Sequence, residues 1–446
     1  TPPGAPKWLM INSMEADPFV KGGAYVAGTL YKAGDFSPYL YKTKNYGQTW
    51  TKITNGIASE HFTRVVRADP KREGLLYAGT ETGMYISFDD GRSWKPFQLN
   101  LPIVPITDLT IKNDNLIAAT QGRSFWLIDD ITPLHQLTEE IATSEFYLYQ
   151  PLASYRVRTT SSFFKQSNLG ENHHNGVLFH YYLINAMDTT DQVNLDILEM
   201  NGDLIRSFSN MGDKKDTLKT EEGMNRFVWD MRYEPAEEFE GLIMWSANIN
   251  GPKALPGKYK ARLTVNNNSQ ETEFEILADP RSTSNPQDMK AQFDFLMEVR
   301  NKLTQTHKTI KEIRVARTQL QQLEERIKKD EKLKDLMEES KSINQKMTAV
   351  EEKLYQTKNE SRQDPLNFPV RLNNKLAHLN RLMGTSDFPP TQQALDFKNE
   401  VIKEIDGQLD QWKQIKDTDI PRFNDLVKSK QIDAINISDL EEKVSQ

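Results

Sequence analysis

Two eight-residue boxes, 44 positions apart, constrain the fold of this chain more than any other feature. Thr43-Lys44-Asn45-Tyr46-Gly47-Gln48-Thr49-Trp50 and Ser87-Phe88-Asp89-Asp90-Gly91-Arg92-Ser93-Trp94 share the pattern S/T-x-D/N-x-G-x-S/T-W. A repeat of about 40–45 residues is the length of one four-stranded propeller blade. The upstream flanks repeat as well, Ala24-Tyr25-Val26-Ala27-Gly28-Thr29 against Leu76-Tyr77-Ala78-Gly79-Thr80. A third flank, Leu116-Ile117-Ala118-Ala119-Thr120-Gln121-Gly122, begins 40 residues after the second and carries no box.

Turn chemistry accounts for the box. Asn45 or Asp89 can accept hydrogen bonds from N–H groups of its own tight turn, and Gly47 or Gly91 can take positive φ there. Trp50 or Trp94 has the size to wedge between neighbouring blades. Asp89 is a turn residue in this reading, not a catalytic acid. Residues 8 to about 135 hold roughly three blades, whereas a propeller closes with four to eight or more. Three alone leave an open edge strand and an uncovered blade face. The expectation is an incomplete ring, completed by an upstream part of a longer polypeptide or by a second chain.

The box resembles the Asp-box, or BNR, repeat. Pro38-Tyr39-Leu40-Tyr41-Lys42-Thr43, Gly74 to Gly83 and Gln121-Gly122-Arg123-Ser124-Phe125-Trp126-Leu127-Ile128-Asp129-Asp130 are similar to bacterial sortilin-like BNR proteins, often labelled glycosyl hydrolases. The resemblance implies an exported protein of the periplasm, outer-membrane surface or extracellular space, with its signal peptide upstream of this chain. It also implies a ligand face opposite the box turns. Because the box turn joins the third and fourth strands of a blade, the turn between the second and third emerges at the other end. Glu81, Gln121 and Arg123 sit on such turns, and Asp35 lies in the insertion from Tyr31 to Ser37. These four are the ligand-face candidates, and no catalytic residue is identified. Family members usually read Thr-His before the Gly-Arg pair, where this chain has Thr120-Gln121. Any chemical role of that histidine is lost here.

Further along, strand-like runs such as Val177 to Leu183, Val193 to Leu198 and Leu204 to Phe208 are punctuated by turns such as Asn201-Gly202-Asp203. The stretches Gly223 to Arg232 and Pro256 to Val265 resemble the immunoglobulin-like sandwich of flagellar hook-cap proteins, with Trp229 in its core. From Pro286 the apolar period becomes helical: Met289, Phe293, Leu296, Leu303, His307, Ile310 and Ile313 trace one face. A turn at Lys328-Lys329-Asp330, a proline-punctuated loop and a stop at Gly384 divide this region into four helices. They are expected to form an antiparallel bundle with two coiled-coil-like arms. The expected division is therefore blades over 1–140, an immunoglobulin-like β-sandwich over 141–282 and a helical bundle over 283–446.

Composition removes several functions. The 446 residues include no cysteine, which excludes disulfides, thiolate metal sites and cysteine nucleophiles. A net charge of −7 argues against nucleic acid as a partner. No apolar run reaches the roughly 20 residues that span a bilayer, and no cofactor motif is present. His173-His174 lies in a polar loop without a spaced carboxylate, so no metal site is expected. Asp216-Thr217-Leu218 fits the short Asp-Thr-apolar pattern glycosylated in the envelope of Bacteroidota, a three-residue match of little weight.

Two functions remain. In the first, the completed propeller binds a peptide or glycan, as sortilin propellers hold peptides in their central tunnel, while the sandwich and bundle dock partners. In the second, it is a glycoside hydrolase. That chemistry needs two carboxylates about 5 to 10 Å apart. No such pair is visible in this sequence, so the catalytic acids would lie mainly in the missing blades.

Overall fold

The computed structural model describes residues 2–157, 170, 172–188, 190–212 and 216–432. Three antiparallel sheets come first, each built from consecutive strands. β1 (Met10–Ala16), β2 (Ala24–Leu30), β3 (Asp35–Thr43) and β4 (Thr51–Lys52) form one. β5 (Thr63–Ala68), β6 (Leu76–Thr80), β7 (Gly83–Ser87) and β8 (Lys95–Pro96) form the next, and β9 (Ile106–Lys112), β10 (Asn115–Thr120) and β11 (Phe125–Ile128) the third. Short turns between sequential strands make antiparallel neighbours the natural pairing.

The sheets stack face to face. Tyr25, Ala27, Leu40 and Ile53 of the first sheet region pack on Val66, Leu76, Ala78 and Trp94 of the second. On the other side, Val65, Tyr77, Met84 and Ile86 meet Ile106, Leu109, Leu116 and Ala118 of the third. Because alternate side chains point to opposite faces, the middle sheet buries both; β6 and β7 are buried along their whole length. Each large apolar side chain so enclosed contributes about 1.5–3 kcal/mol. The end sheets differ. Met14, paired with Val26 on the outward face of the first sheet, is 75% exposed. Phe125 and Leu127, on the outward face of the third, are 76% and 52% exposed.

Two short helices, α1 (Thr132–Gln136) and α2 (Glu139–Thr143), lead into a second β region. Its strands are β12 (Phe146–Leu148), β13 (Ser154–Arg156), β14 (Val177–Leu183), β15 (Val193–Glu199), β16 (Leu204–Ser209), β17 (Gly223–Trp229), β18 (Gly257–Val265) and β19 (Asn268–Ala278). They make a sheet of order β12-β14-β17 and another of order β13-β19-β18-β15-β16, antiparallel except for β13 against β19. Both sheets line one core. Phe179, Tyr181 and Trp229 come from the smaller sheet, and Leu195, Ile197, Leu263 and Phe274 from the larger. In β18, Tyr259, Ala261, Leu263 and Val265 are buried while their neighbours are not, the alternation of a half-buried strand. Trp229 is fully buried and its Nε1–H donates to the Arg232 carbonyl at 2.9 Å.

The C-terminal region is helical. α3 (Pro286–Ile327) runs for 42 residues, about 63 Å at 1.5 Å per residue. Asn285 caps it by accepting from the Asp288 N–H, Asp288 reaches back to the Asn285 N–H, and Pro286 occupies the first turn. α4 (Lys334–Leu354), α5 (Leu372–Met383), α6 (Gln392–Gln414) and α7 (Ile420–Ser429) follow, the last two joined through a π turn. Val299, Leu303, Ile310 and Ile313 of α3 share a core with Ile343 and Met347 of α4, Leu376 of α5 and Ile405 of α6. His307 sits inside this stripe, fully buried. Its Nδ1 is 2.6 Å from the Glu237 carbonyl, and its Nε2 is 3.3 Å from the Asn373 amide.

An irregular segment between β17 and β18 joins the β region to the helices. Ala236 and Phe239 enter the helical core. Asn374 of α5 accepts from the Trp245 N–H at 2.7 Å and donates to the Trp245 carbonyl at 2.9 Å. Asn380 donates to the Asn248 carbonyl at 3.0 Å, so side-chain amides of α5 satisfy backbone groups of this irregular segment. Deeper in the helices, Glu351 is 2% exposed and bridges Arg314 at 2.9 Å and Arg317 at 2.6 Å.

Candidate functional site

The two boxes fold alike. Thr43 Oγ1 accepts from the Gly47 N–H and Ser87 Oγ from the Gly91 N–H, both at 3.0 Å. Asn45 and Asp89 each accept from the backbone N–H four residues on, Thr49 or Ser93, both at 2.9 Å. Gly47 and Gly91 have φ of 81° and 77°, and a Cβ on Gly91 would lie 2.7 Å from the Ile53 side chain. Burial alone would raise the Asp89 carboxyl. The Ser93 hydroxyl and N–H, with Ser87, hold it below the usual range instead. Asp89 is thus an ionised turn acceptor.

The tryptophans part company. Trp94 is buried and its Nε1–H donates to the Ile53 carbonyl of the neighbouring sheet region at 2.8 Å. Trp50 is half-buried and donates at 3.0 Å to Gly47 of its own turn. The wedge expected of both is therefore absent at Trp50. The described residues place no further sheet on the outward face of the first sheet for it to enter.

In the first two sheets the first and third connections lie at one end and the second at the other, and in the third sheet its two connections lie at opposite ends in the same way. The β6–β7 turn carries Glu81, the β10–β11 turn carries Gln121 and Arg123, and the β2–β3 connection leads into Asp35. All three lie at the end opposite the boxes. Glu81 Oε2 accepts from Arg64 Nε at 2.5 Å. The Arg64 guanidinium lies 5.3 Å from the Phe62 ring centroid and 5.9 Å from that of Tyr31, and the two rings stack at 5.1 Å. Phe36, 51% exposed, leans on Phe62 at 6.0 Å. Asp35 does not join Glu81: it accepts from the Tyr39 hydroxyl at 2.6 Å and the Ser37 N–H at 2.9 Å, which hold its carboxyl below the usual range. Tyr39 is pushed up to about 12 by burial and by that carboxylate. Gln121 and Arg123 are exposed, and Arg123 Nη1 donates to the adjacent Gly122 carbonyl at 2.9 Å.

The chain also holds a cleft of about 770 Å³ at the box end, between the third sheet and the second β region. Asp69, fully buried, forms one of its supports. Its Oδ1 accepts from the N–H groups of Lys71 and Arg72 at 2.8 and 2.9 Å, and its Oδ2 meets His135 Nε2 at 2.8 Å. Burial works to raise Asp69; the His135 bond and the two N–H groups outweigh it and leave the group ionised. His173 and His174 line the same cleft. Nothing in the sequence pointed to it, because its walls are drawn from turns and strand ends scattered between Pro70 and Leu277. The Tyr31–Phe62–Arg64 cluster was equally hidden: its members fall outside the repeat box.

No family model and no curated protein matches the sequence. Similar solved structures are propeller-type proteins at low identity. YCF48 bound to D1 peptide is 19% identical over 27% of this chain and 37% of that one, with a TM-score of 0.21. The GH74 xyloglucanase from Xanthomonas campestris is 15% identical over 27% of this chain and 22% of that one, with a TM-score of 0.22. The Dos1 propeller is 10% identical over 58% and 80%, with a TM-score of 0.23. The chain thus spans about a third and a fifth of the first two. Among the described residues, no helix is long and apolar enough to cross a membrane. No group of three or more His, Asp or Glu among them is placed to hold a metal ion.

Proposed function

We propose that this chain is the C-terminal part of an exported, sortilin-like Asp-box propeller that binds a peptide or glycan at the face carrying Glu81. In this reading the three stacked sheets are blades, the second β region is an immunoglobulin-like sandwich, and the helices form a bundle with coiled-coil-like arms. Sandwich and bundle supply docking surfaces for partners. The outward apolar faces at Met14 and at Phe125 and Leu127 support further blades, on one longer chain or on a second.

One observation carries the preference for binding over hydrolysis: both acidic candidates on that face are engaged, Glu81 by Arg64 and Asp35 by Tyr39. Glycoside hydrolysis requires one carboxyl kept protonated and a second free to act as base or nucleophile. A guanidinium on stacked aromatic rings is instead a recognition surface, able to meet a carboxylate, a peptide backbone or the face of a sugar ring.

The test begins with denaturing mass analysis of protein from its native source, where a mass well above 51.4 kDa or a co-purifying β-rich chain is expected. That complete protein is then incubated with xyloglucan and mixed-linkage β-glucan and assayed for reducing ends, alongside selection from a random-peptide display library. Binding weakened at least tenfold by Arg64→Ala, with no reducing ends released, supports the reading. Release of reducing ends makes the protein a hydrolase whose acids lie in other blades. A lone species of 51.4 kDa removes the propeller-completion argument.

A further inference from the structure

We propose that the cleft between the third sheet and the second β region is a second binding site, one that takes a short saccharide chain. It lies at the box end, opposite the face carrying Glu81, and the lining residues on which the argument rests all belong to this chain. The proposal therefore does not rest on the ring being completed or on the ligand of the other face.

Size comes first. About 770 Å³ falls within the roughly 300–1,000 Å³ of sites that enclose small ligands. The turn Asn113-Asp114, with φ of 52° and 63°, is a two-residue hairpin of the type that holds both residues left-handed, so it forms a rigid wall. His135 is fixed from behind. Because the ionised Asp69 can only accept, the ring donates Nε2–H to it, and in the neutral imidazole Nδ1 is left as an acceptor.

The chemistry of the lining then selects the ligand. Asp129, Asn113 and Asn115 line the cleft, and none of their side chains has a partner among the described residues. A carboxylate with two amides offers several acceptors and donors, which is what the hydroxyls of a sugar ring require. Tyr155, half exposed on β13, offers a flat apolar face for the C–H side of a sugar. The charges that line the cleft point the same way. Lys71, the one Lys or Arg in the described lining, is held by Asp114 at 2.7 Å. Asp130 accepts from the Thr132 N–H at 2.8 Å and hydroxyl at 2.6 Å, so within the described lining Asp129 is the carboxylate open to a ligand.

Isothermal titration of the 446-residue chain tests this with maltotetraose, cellotetraose, chitotetraose and a xyloglucan heptasaccharide, and with tetralysine and inorganic phosphate as contrasts. At least one saccharide is expected to bind with a Kd below about 1 mM. Asp129→Asn and Tyr155→Ala, at positions not enclosed in a core, should each weaken that binding at least tenfold with an unchanged thermal melt. Arg64→Ala, on the opposite face, should leave it unaltered. Binding of none of the four saccharides overturns the proposal, as does binding that survives both cleft substitutions. Tight binding of tetralysine or phosphate in their place overturns it too.

Discussion

Trp94 reaches out of its own sheet to donate its indole N–H to the Ile53 carbonyl at 2.8 Å, closing the seam between the first two sheets. Trp50 occupies the same place in the pattern and bonds only within its turn. Removing a fully enclosed tryptophan leaves a cavity and costs about 3–5 kcal/mol. Trp94→Ala should therefore destabilise the chain by about that much in urea unfolding. Trp50→Ala should cost less than half as much.

Glu351 is shared by Arg314 and Arg317 inside the helical core. Substituting the carboxylate leaves two guanidinium groups facing a neutral partner. Breaking a buried ion pair from one side costs about 3–5 kcal/mol. The lower end is expected for Glu351→Gln, because Arg314 is a third exposed and water can compensate it. Chemical denaturation followed at the helical circular-dichroism band reads the difference.

Asn374 and Trp245 form a two-point clasp. Each hydrogen bond contributes about 1 kcal/mol net. Asn374→Ala should cost about 2 kcal/mol and speed amide exchange across residues 243–249, while exchange in β6 and β7 stays unchanged. Mass-detected hydrogen exchange separates the two regions.

Burial pushes Lys253 down to about 8, with Arg232 and Arg156 adding to the effect. The unfolded chain keeps that proton up to its ordinary 10.5, so the folded state bears a penalty wherever both are charged. As the pH rises from about 8 toward 10.5 the folded lysine is neutral first, and the penalty is relieved. Lys253→Met should melt higher than the parent at pH 7, with the gap narrowing steadily between pH 8 and 10. A gap that widens with pH would contradict the assignment.

Much of the local architecture was written in the residues. Gly47 and Gly91 take the positive φ their turns require, and the flank Leu76 to Thr80 forms a strand buried on both faces. Asn285 followed by Pro286 starts α3, and a turn after Ile327 ends it, because caps and periodicity act over a few residues. What stayed hidden depends on contacts between distant segments. Glu81 looks free on its turn until β5 brings Arg64 beside it. Trp50 and Trp94 look equivalent until the stack gives one of them a neighbour. Asp69 and His135 are 66 residues apart, and nothing in either neighbourhood announces the other. The two functional candidates differ for the same reason: the turn face follows from the strand order of the repeat and from what its resemblance implies, whereas the cleft requires the placement of a second region.

The outward faces of the two end sheets are different surfaces, one bearing Ile11 and Met14, the other Phe125 and Leu127. A stack with unlike ends has a direction. Two copies that met through these unlike faces would join head to tail, and a heterologous contact of that kind either closes into a ring or runs on as a filament. Which of the two occurs is set by the rotation from one sheet to the next.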